Sequence, residues 1–570
     1  MQVHPIYTEA NNCQDCYKCV RECPVKAIKI ENHSASVITS RCIYCGHCTT
    51  ICPANAKKVR EDIKTVKYYF EMGYPVVASL APSFRSEFSE YSDRALAGAL
   101  LKLGFSYVSE TALGAEMVSE TVNNWLQTLH GGVYISSCCP VIVDLIKKYY
   151  PQHNHQIAPV TTPMLAHGKY LKQLLGANTR VVFIGPCIAK KKEAEKNKGA
   201  VDVVITFEKL RDWFQQSGIN PAESQGASDN FYPHSPGKGK LYPIDGGMIS
   251  TLNRGATLTD TRYMCFSGLG NVIDILQNLG SFQSSSTVFL ELLACSGGCV
   301  NGPVTSSKKN TVWKRSDIIS ACNKNEKKTK WDANPGFSLY NNFNYIQTVD
   351  NAAYTREQIC EALRSVGKYS EKDELNCSGC GYESCADFAA AMLNNIAEPT
   401  MCVSYMRQTA QRQASLLMQK MPYAVVLVND QLKIIEANQN FASMLGTDTE
   451  LAFGAKPGLP GADLSKILPE HRYFNNLLKT GSELIEKDIR VNGQAAHLSI
   501  FTIHKHKLVC GIMHTFSNGD ISKTELARRT RQVIGLNLKT VQKIALLLGE
   551  NASQTEALLN SLIDVKENGK

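Results

Sequence analysis

The sequence lacks long hydrophobic runs. Nowhere do about 18 apolar residues follow one another without a charge, so no membrane-spanning helix is expected. The start, MQVHPIYTEANNC, lacks the basic-then-apolar layout of a secretory signal, and a cytoplasmic protein is expected. Glycine boxes for ATP, kinase motifs and DNA-reading motifs are also missing. Any output must therefore pass to another protein. An acidic excess is missing too: Lys and Arg number 61 against 52 Asp and Glu, a formal charge of +9.

What the chain has in abundance is cysteine, 21 in 570 residues. An odd, high count without an export signal argues against disulfides and for metal ligation. If about sixteen thiolates surround about four cubanes, they contribute roughly eight negative charges and bring the protein close to neutral. The basic composition is then no sign of a nucleic-acid partner. The densest basic run, Lys308 to Lys330, reads as a solvated loop.

The length implies several domains. Residues 1–62 contain an internal repeat, CQDCYKCVRECP and CIYCGHCTTICP. Residues 63–368 alternate apolar runs (PVVASLAP, GGVYIS, RVVFIGPC, AVDVVITF, TVFLELLAC) with amphipathic segments, the rhythm of an α/β region. Residues 369–405 carry CSGCGYESC and a later Cys402, read as a small helical unit. Residues 406–517 open with an amphipathic helix, SYMRQTAQRQASLLMQ, and continue as an α+β unit. There YAVVLVNDQLKIIEANQNFASMLG reads strand, turn at Asn429-Asp430, strand, helix, and Asn492-Gly493 marks a hairpin. Residues 518–570 read as a C-terminal helix, a signalling tail. Its Ile534, Leu538, Val541, Ala545, Leu548, Ala552, Thr555, Leu559 and Leu562 form a heptad seam. A homodimer through that seam and a helix packed on its own neighbouring unit are equally open.

In the N-terminal repeat, each CxxCxxC loop wraps three corners of a cubane, and the following Cys-Pro cysteine supplies the fourth corner of the other cluster. Cys13, Cys16, Cys19 and Cys52 form one set; Cys42, Cys45, Cys48 and Cys23 form the other. The segment resembles a bacterial two-cluster ferredoxin, which implies one-electron relay. Two zinc sites would not need eight cysteines in this crossed order. In the central region three cysteine segments lie far apart: SSCCPVIVDLIKKYYP, GPCIAKKKE and ELLACSGGCVNGP. Each follows a run that reads as a strand, and loops at strand ends are where α/β folds build sites. Cys139, Cys187, Cys295 and Cys299 would complete one cubane, and the glycines near Cys299 let backbone approach a bulky group.

With APSFR at 81–85, LGFSYVSETALGAEM at 103–117, TPMLAHGKYLK at 162–172 and VDVVITFEKL at 201–210, residues 1 to about 365 resemble the [FeFe] hydrogenase family. The resemblance implies a two-lobed α/β domain holding an H-cluster, a cubane joined to a two-iron subsite that carries CO, cyanide and a dithiolate. Cys139, Cys187 and Cys295 would be cubane corners, and Cys299 the bridging thiolate. Lys190 and Ser83 would donate to the cyanides, and Cys138 would pass protons. The chain departs from the family at Gly185 and Leu293, where it has methionines, and in the shortened Asn301-Gly302-Pro303. The two relay glutamates fall on Val122 and Trp125, with Glu120 as a substitute if the register differs by two.

Cys377, Cys380, Cys385 and Cys402 resemble the small [4Fe-4S] domain of several redox proteins, with zinc as the structural alternative. Residues 415–517 resemble a PAS domain, a fold of α+β type. Its His497, His504, His506 and His514 read as exposed strand histidines, and no ligand is assigned. Cys265, Cys322, Cys360 and Cys510 receive no role.

Three functions are compatible with these readings. The first is a sensory hydrogenase with low turnover (2H⁺ + 2e⁻ ⇌ H₂) that reads H₂ or redox state and signals through the PAS unit to a phosphatase or kinase. The second is an ordinary ferredoxin-linked hydrogenase. The third is a relative that keeps only the cubane. The resemblance implies H₂, protons, a ferredoxin-type electron carrier and hydrogenase maturases as partners.

Overall fold

The computed structural model describes residues 4–31, 34–224, 231–252, 261–282, 284–322, 336–343, 348–349 and 353–515. The heptad seam of the tail lies outside the described residues. The chain divides into two compact units, Met1–Glu398 and Pro399–Lys570. Among the described residues no helix is long and apolar enough to cross a membrane.

The first unit opens with the cysteine repeat, and the backbone repeats with it. Asp15 and Tyr44 have φ of 52° and 59°, Tyr17 and Gly46 56° and 80°, Lys26 and Asn55 46° and 49°. These pairs occupy equal offsets from their first cysteines. Left-handed residues turn a short loop tightly enough to wrap a compact body. Equivalent amides also aim at sulfur: Ala27 N lies 3.3 Å from Cys23 Sγ, and Ala56 N 3.2 Å from Cys52 Sγ. The short helices Lys18–Arg21 and His47–Ile51 carry Cys19 and Cys48.

Two parallel sheets follow. The larger runs Tyr107–Glu110, Val76–Leu80, Arg180–Gly185, Val203–Thr206. The smaller runs Arg262–Ser267, Thr287–Leu293, Gly132–Ile135. Strands such as VVASL and TVFLELL are buried along their whole length, as expected where helices cover both faces. All five apolar runs read from the sequence are strands. Tyr107–Glu110 and Arg262–Ser267 were not recognised as strands; the first is half polar and the second is a partly exposed edge. The basic run beginning at Lys308 is not a loop throughout: Thr311–Ser320 is a helix, and its Lys314 is buried. Asn310 caps that helix through Trp313 N, so the local signal was the cap.

The second unit holds a five-stranded antiparallel sheet in the order Ile434–Ala437, Ala424–Asn429, Leu508–Thr515, Gln494–His504, Leu484–Val491. Asn492 and Gly493 take φ of 50° and 79°, the geometry of a tight hairpin. Phe441, Phe474, Leu498 and Met513 fill its core. His504 and His506 are exposed, but His497 and His514 are half-buried and face each other at 5.5 Å, with His497 on Asp488. Cys510 is buried among apolar neighbours.

Candidate metal centre

The carboxyl ends of the parallel strands point at one cavity. Ser83 follows Val76–Leu80, Cys138 and Cys139 follow Gly132–Ile135, Cys187 follows Arg180–Gly185, and Cys295 follows Thr287–Leu293. Cys139 is the N-cap of Pro140–Tyr149, with proline at the first helical position, so strand, thiol and helix are fixed within a few residues. Arg85 pairs with Glu110 at 2.8 and 3.0 Å, which ties the turn carrying Ser83 to the next strand. Cys139, Cys187, Cys295, Cys299, Cys138, Lys190 and Ser83 all line this cavity.

Its chemistry fits a bulky metal cluster with anionic ligands. Burial pushes the Cys187 thiol up to about 11 and the Cys138 thiol to about 12, and it raises Cys295 and Cys299 well above the usual thiol range. Buried thiols ionise only when cations compensate them. Lys190 is pulled down by burial, but Glu193 at 2.7 Å outweighs this and holds it charged. The Ser83 hydroxyl is buried and has no hydrogen-bond partner among the described residues, which leaves a donor for a group in the cavity.

The N-terminal module reaches the same cavity. Cys45 lies on its wall. A Cβ at Gly46 would lie 2.6 Å from Pro303 and 2.8 Å from Ile188 Cδ1, so only glycine allows this approach. The shortened Asn301-Gly302-Pro303 segment thus forms the seat of the cluster module. The helix that starts at Cys139 docks there with its other end: Lys148 Nζ donates to Cys42 O at 2.7 Å, and Tyr149 OH to Arg41 O at 2.8 Å.

The departures from the family pattern have local explanations. The position a side chain would take at Gly185 is filled by the Phe183 ring, 2.7 Å from an ideal Cβ. Leu293 lines the cavity, and thioethers come instead from Met164 and Met248. Val122 is wholly buried in apolar packing, Trp125 stacks edgewise on Tyr134, and Glu120 is exposed and absent from the cavity wall. The substitution of Glu120 into the relay is therefore not supported by its position.

Three residues escaped the sequence reading. Glu291 lines the cavity, accepts from the amides of Met248 (3.4 Å) and Ile249 (3.1 Å), and is pushed by burial up to about 7. Met248 Sδ accepts from Ser136 at 3.1 Å and Cys138 at 3.6 Å. Tyr242, also on the wall, bonds Ser119 at 2.7 Å, which bonds Thr251 at 2.6 Å. The signal for Glu291 was visible: a lone carboxylate inside FLELLAC, a strand otherwise apolar.

Residues 74–303 match the family model of the iron-only hydrogenase large subunit, C-terminal domain. The middle of the chain is thus similar to an iron-only hydrogenase domain. Residues 5–53 match a 4Fe-4S dicluster domain, residues 373–404 an Fe-S cluster domain, and residues 412–485 a PAS domain. Iron hydrogenase 1 of Clostridium pasteurianum is 26% identical over 282 residues, 40% of this chain and 49% of that protein. The periplasmic [Fe] hydrogenase large subunit of Nitratidesulfovibrio vulgaris is 25% identical over 253 residues, 36% of this chain and 60% of that protein. The chain thus spans about half the length of the first of these relatives. Among solved structures, an [FeFe]-hydrogenase of Chlamydomonas reinhardtii aligns with TM-score 0.36 at 22% identity, covering 46% of this chain and 87% of that one.

In the hydrogenase-linked Fe-S segment, Cys377 and Cys380 precede the helix Cys385–Leu393, which Cys385 opens. Cys402 belongs to the second unit, as the N-cap of Val403–Lys420.

Proposed function

We propose that the chain is a sensory hydrogenase of low turnover, which reads H₂ or the redox state of its electron donor and signals through its PAS unit. In this reading Cys139, Cys187, Cys295 and Cys299 hold the cubane, with Cys299 also bridging to the two-iron subsite. That cofactor, when bound, supplies the interconversion of H₂ with two protons and two electrons. Lys190, kept cationic by Glu193, and Ser83, whose hydroxyl lacks a partner among the described residues, are set to donate to its anionic ligands. Cys138 holds the proton nearest the cavity; Met248 receives its thiol and fixes its direction.

The observation that carries the reading is that the cavity wall keeps Cys138, Lys190 and Ser83 while the relay positions are altered. The cation, hydroxyl and thiol that matter only around a two-iron subsite are kept. The positions that speed proton delivery carry Val122 and Trp125, which cannot titrate. General acid–base steps need a titratable group within hydrogen-bond reach, so turnover slows while binding persists. Infrared spectroscopy of the matured protein tests this: CO and cyanide bands are expected, with H₂ shifting them and changing protease protection of the PAS unit. Absence of the bands rejects the proposal and leaves the cubane-only reading. Retained Cys138 favours a second reading, an ordinary ferredoxin-linked hydrogenase, which turnover equal to that of catalytic relatives would establish.

In both readings the cluster set is two ferredoxin-type cubanes, the H-cluster and one further [4Fe-4S] cluster at the segment that carries Cys377, Cys380 and Cys385. A ferredoxin-type carrier, maturases, and a downstream phosphatase or kinase complete the partners.

A further inference from the structure

The Fe-S loop at 377–385 does not stand apart from the N-terminal module. A Cβ at Gly381 (φ +93°) would lie 2.9 Å from Arg21 Cα and 3.0 Å from Arg21 N. Backbone therefore presses on backbone, at the end of the helix that leads into Cys23. Lys26 closes the contact: its Nζ donates to Arg21 O at 2.9 Å, and it sits where the charges of Cys23, Glu383 and Cys380 all reach it. Next to Gly381, Tyr382 is 6% exposed, and its buried hydroxyl has no hydrogen-bond partner among the described residues. Burial raises that hydroxyl above the usual tyrosine range, and Cys380 and Cys23 lie close enough to add to the rise.

Cys23 belongs, by the crossed spacing, to the same cluster set as Cys42, Cys45 and Cys48. Cys45 of that set lies on the wall of the hydrogenase cavity. One set of four thiols thus faces the hydrogenase site through Cys45 and the C-terminal Fe-S loop through Cys23. The other set, with Cys13, Cys16, Cys19 and Cys52, lines a separate small pocket.

We propose that the Cys23/Cys42/Cys45/Cys48 cubane is an electron junction, and that Tyr382 lies on its branch to the Cys377–Cys385 loop as a positioning residue. The branch step moves one electron: one cubane is oxidised by one unit, the other is reduced by one, and no bond or proton moves. The Tyr382 hydroxyl, with no partner among the described residues, would donate to cluster sulfur on that branch, which would favour the more negative, reduced cluster. The C-terminal cluster then reports the redox state of the hydrogenase site to the segment that precedes the PAS helix, instead of pinning the chain structurally. This rests on the cluster assignment above but not on hydrogen chemistry.

The test uses the full chain with reconstituted clusters, without the two-iron subsite, so that hydrogenase activity is irrelevant. Paramagnetic resonance during a potentiometric titration is expected to show signals broadened by spin coupling once both the junction and the C-terminal cluster are reduced. Tyr382→Phe is expected to keep full iron and sulfide and to lower the midpoint of one cluster. Gly381→Val is expected to remove the broadening. Full iron with uncoupled signals, or a Tyr382→Phe protein with every midpoint unchanged, overturns the junction alone. Iron and sulfide short by one cubane in the unaltered chain overturns the cluster assignment as well, so the two failures are told apart.

Discussion

The N-terminal module and the central cavity both gather cysteines, by opposite means. In the module each CxxCxxC loop writes three cysteines close together and takes its fourth from the other repeat, and left-handed turns at equal offsets shape the two loops alike. In the cavity the thiols come from three strand ends of two sheets, from Cys139 to Cys299, and meet only when both sheets are packed. A local site depends on a loop's own geometry. A distributed site depends on the whole domain, so the residues between its ligands decide how it works.

The largest test separates the two sites outright. Cys299→Ser is expected to remove all CO and cyanide bands from matured protein while the module's reduced-cluster signals persist. Cys16→Ser, in the module, is expected to do the reverse, losing one cubane and keeping the bands. Infrared and paramagnetic resonance spectra of the two variants check this; loss of both signals in either variant would merge the sites.

Next in size is an attempt to rebuild the relay. Val122→Glu places a carboxylate where the chain has a wholly buried valine. The cost of burying it is about 4 kcal/mol, and turnover is expected not to rise, because the surrounding wall is apolar. Thermal denaturation beside an H₂ assay measures both; a stable, faster variant would show that only the missing carboxylate slows the chain.

Glu291 makes the cavity pH-sensitive. Burial raises its carboxyl from 4.5 to about 7, so the folded state binds a proton that the unfolded state has released between those values. Stability is therefore full below 4.5, falls as pH rises to about 7, and is level above. The span corresponds to about 3 kcal/mol. Glu291→Gln is expected to remove that slope, gaining relative to the unaltered chain as pH rises. Parallel denaturant titrations from pH 4.5 to 8 check the sign.

The contrast between the sites also explains what was readable. The cysteine repeat, its crossed ligand sets and the Asn492-Gly493 hairpin depend on near neighbours, and spacing alone exposes them. The five apolar strands were visible for the same reason, whereas Arg262–Ser267 is a half-exposed edge with no clean period. The four cubane thiols were legible as cysteines after apolar strands, whereas Lys190, Ser83 and the proton role of Cys138 came from the family resemblance. Met248 receiving Cys138 and Glu291 bonded to two amides are contacts between distant segments, and Phe183 filling the place beside Gly185 depends on how one ring turns in its strand. For Met248 with Cys138 and Glu291 with its amides no short window of sequence contains both partners, and for Phe183 and Gly185, two apart in one strand, the spacing does not show where the ring turns. Glu120 failed for a simpler reason: a shift of two along a helix turns a residue by about 200°, here from core to solvent.

The seam between the regions gives a smaller effect. Gly46 has φ of 80° and its Cβ position is occupied by Pro303. Gly46→Ala is expected to cost about 2 kcal/mol through backbone strain and to slow reduction of the cavity's clusters by way of the module. Stopped-flow reduction by a ferredoxin-type donor checks the second part; an unchanged rate would mean that electrons reach the cavity by another path.

The smallest effect is the most instructive about the cavity. Restoring a thioether by Gly185→Met does not simply add a missing side chain, because an ideal Cβ there lies 2.7 Å from Phe183 Cε1 and 3.0 Å from Ala81 Cβ. Overpacking of this kind costs about 1 to 2 kcal/mol, and the strain falls on the strand that delivers Cys187. The single variant is therefore expected to be less stable, with broadened infrared bands. Gly185→Met combined with Phe183→Ala frees the space the ring held and should recover part of the stability and sharpen the bands. If the double variant is no better than the sum of the singles, Phe183 is not what excludes the methionine, and the altered wall is set by a part of the fold other than that strand.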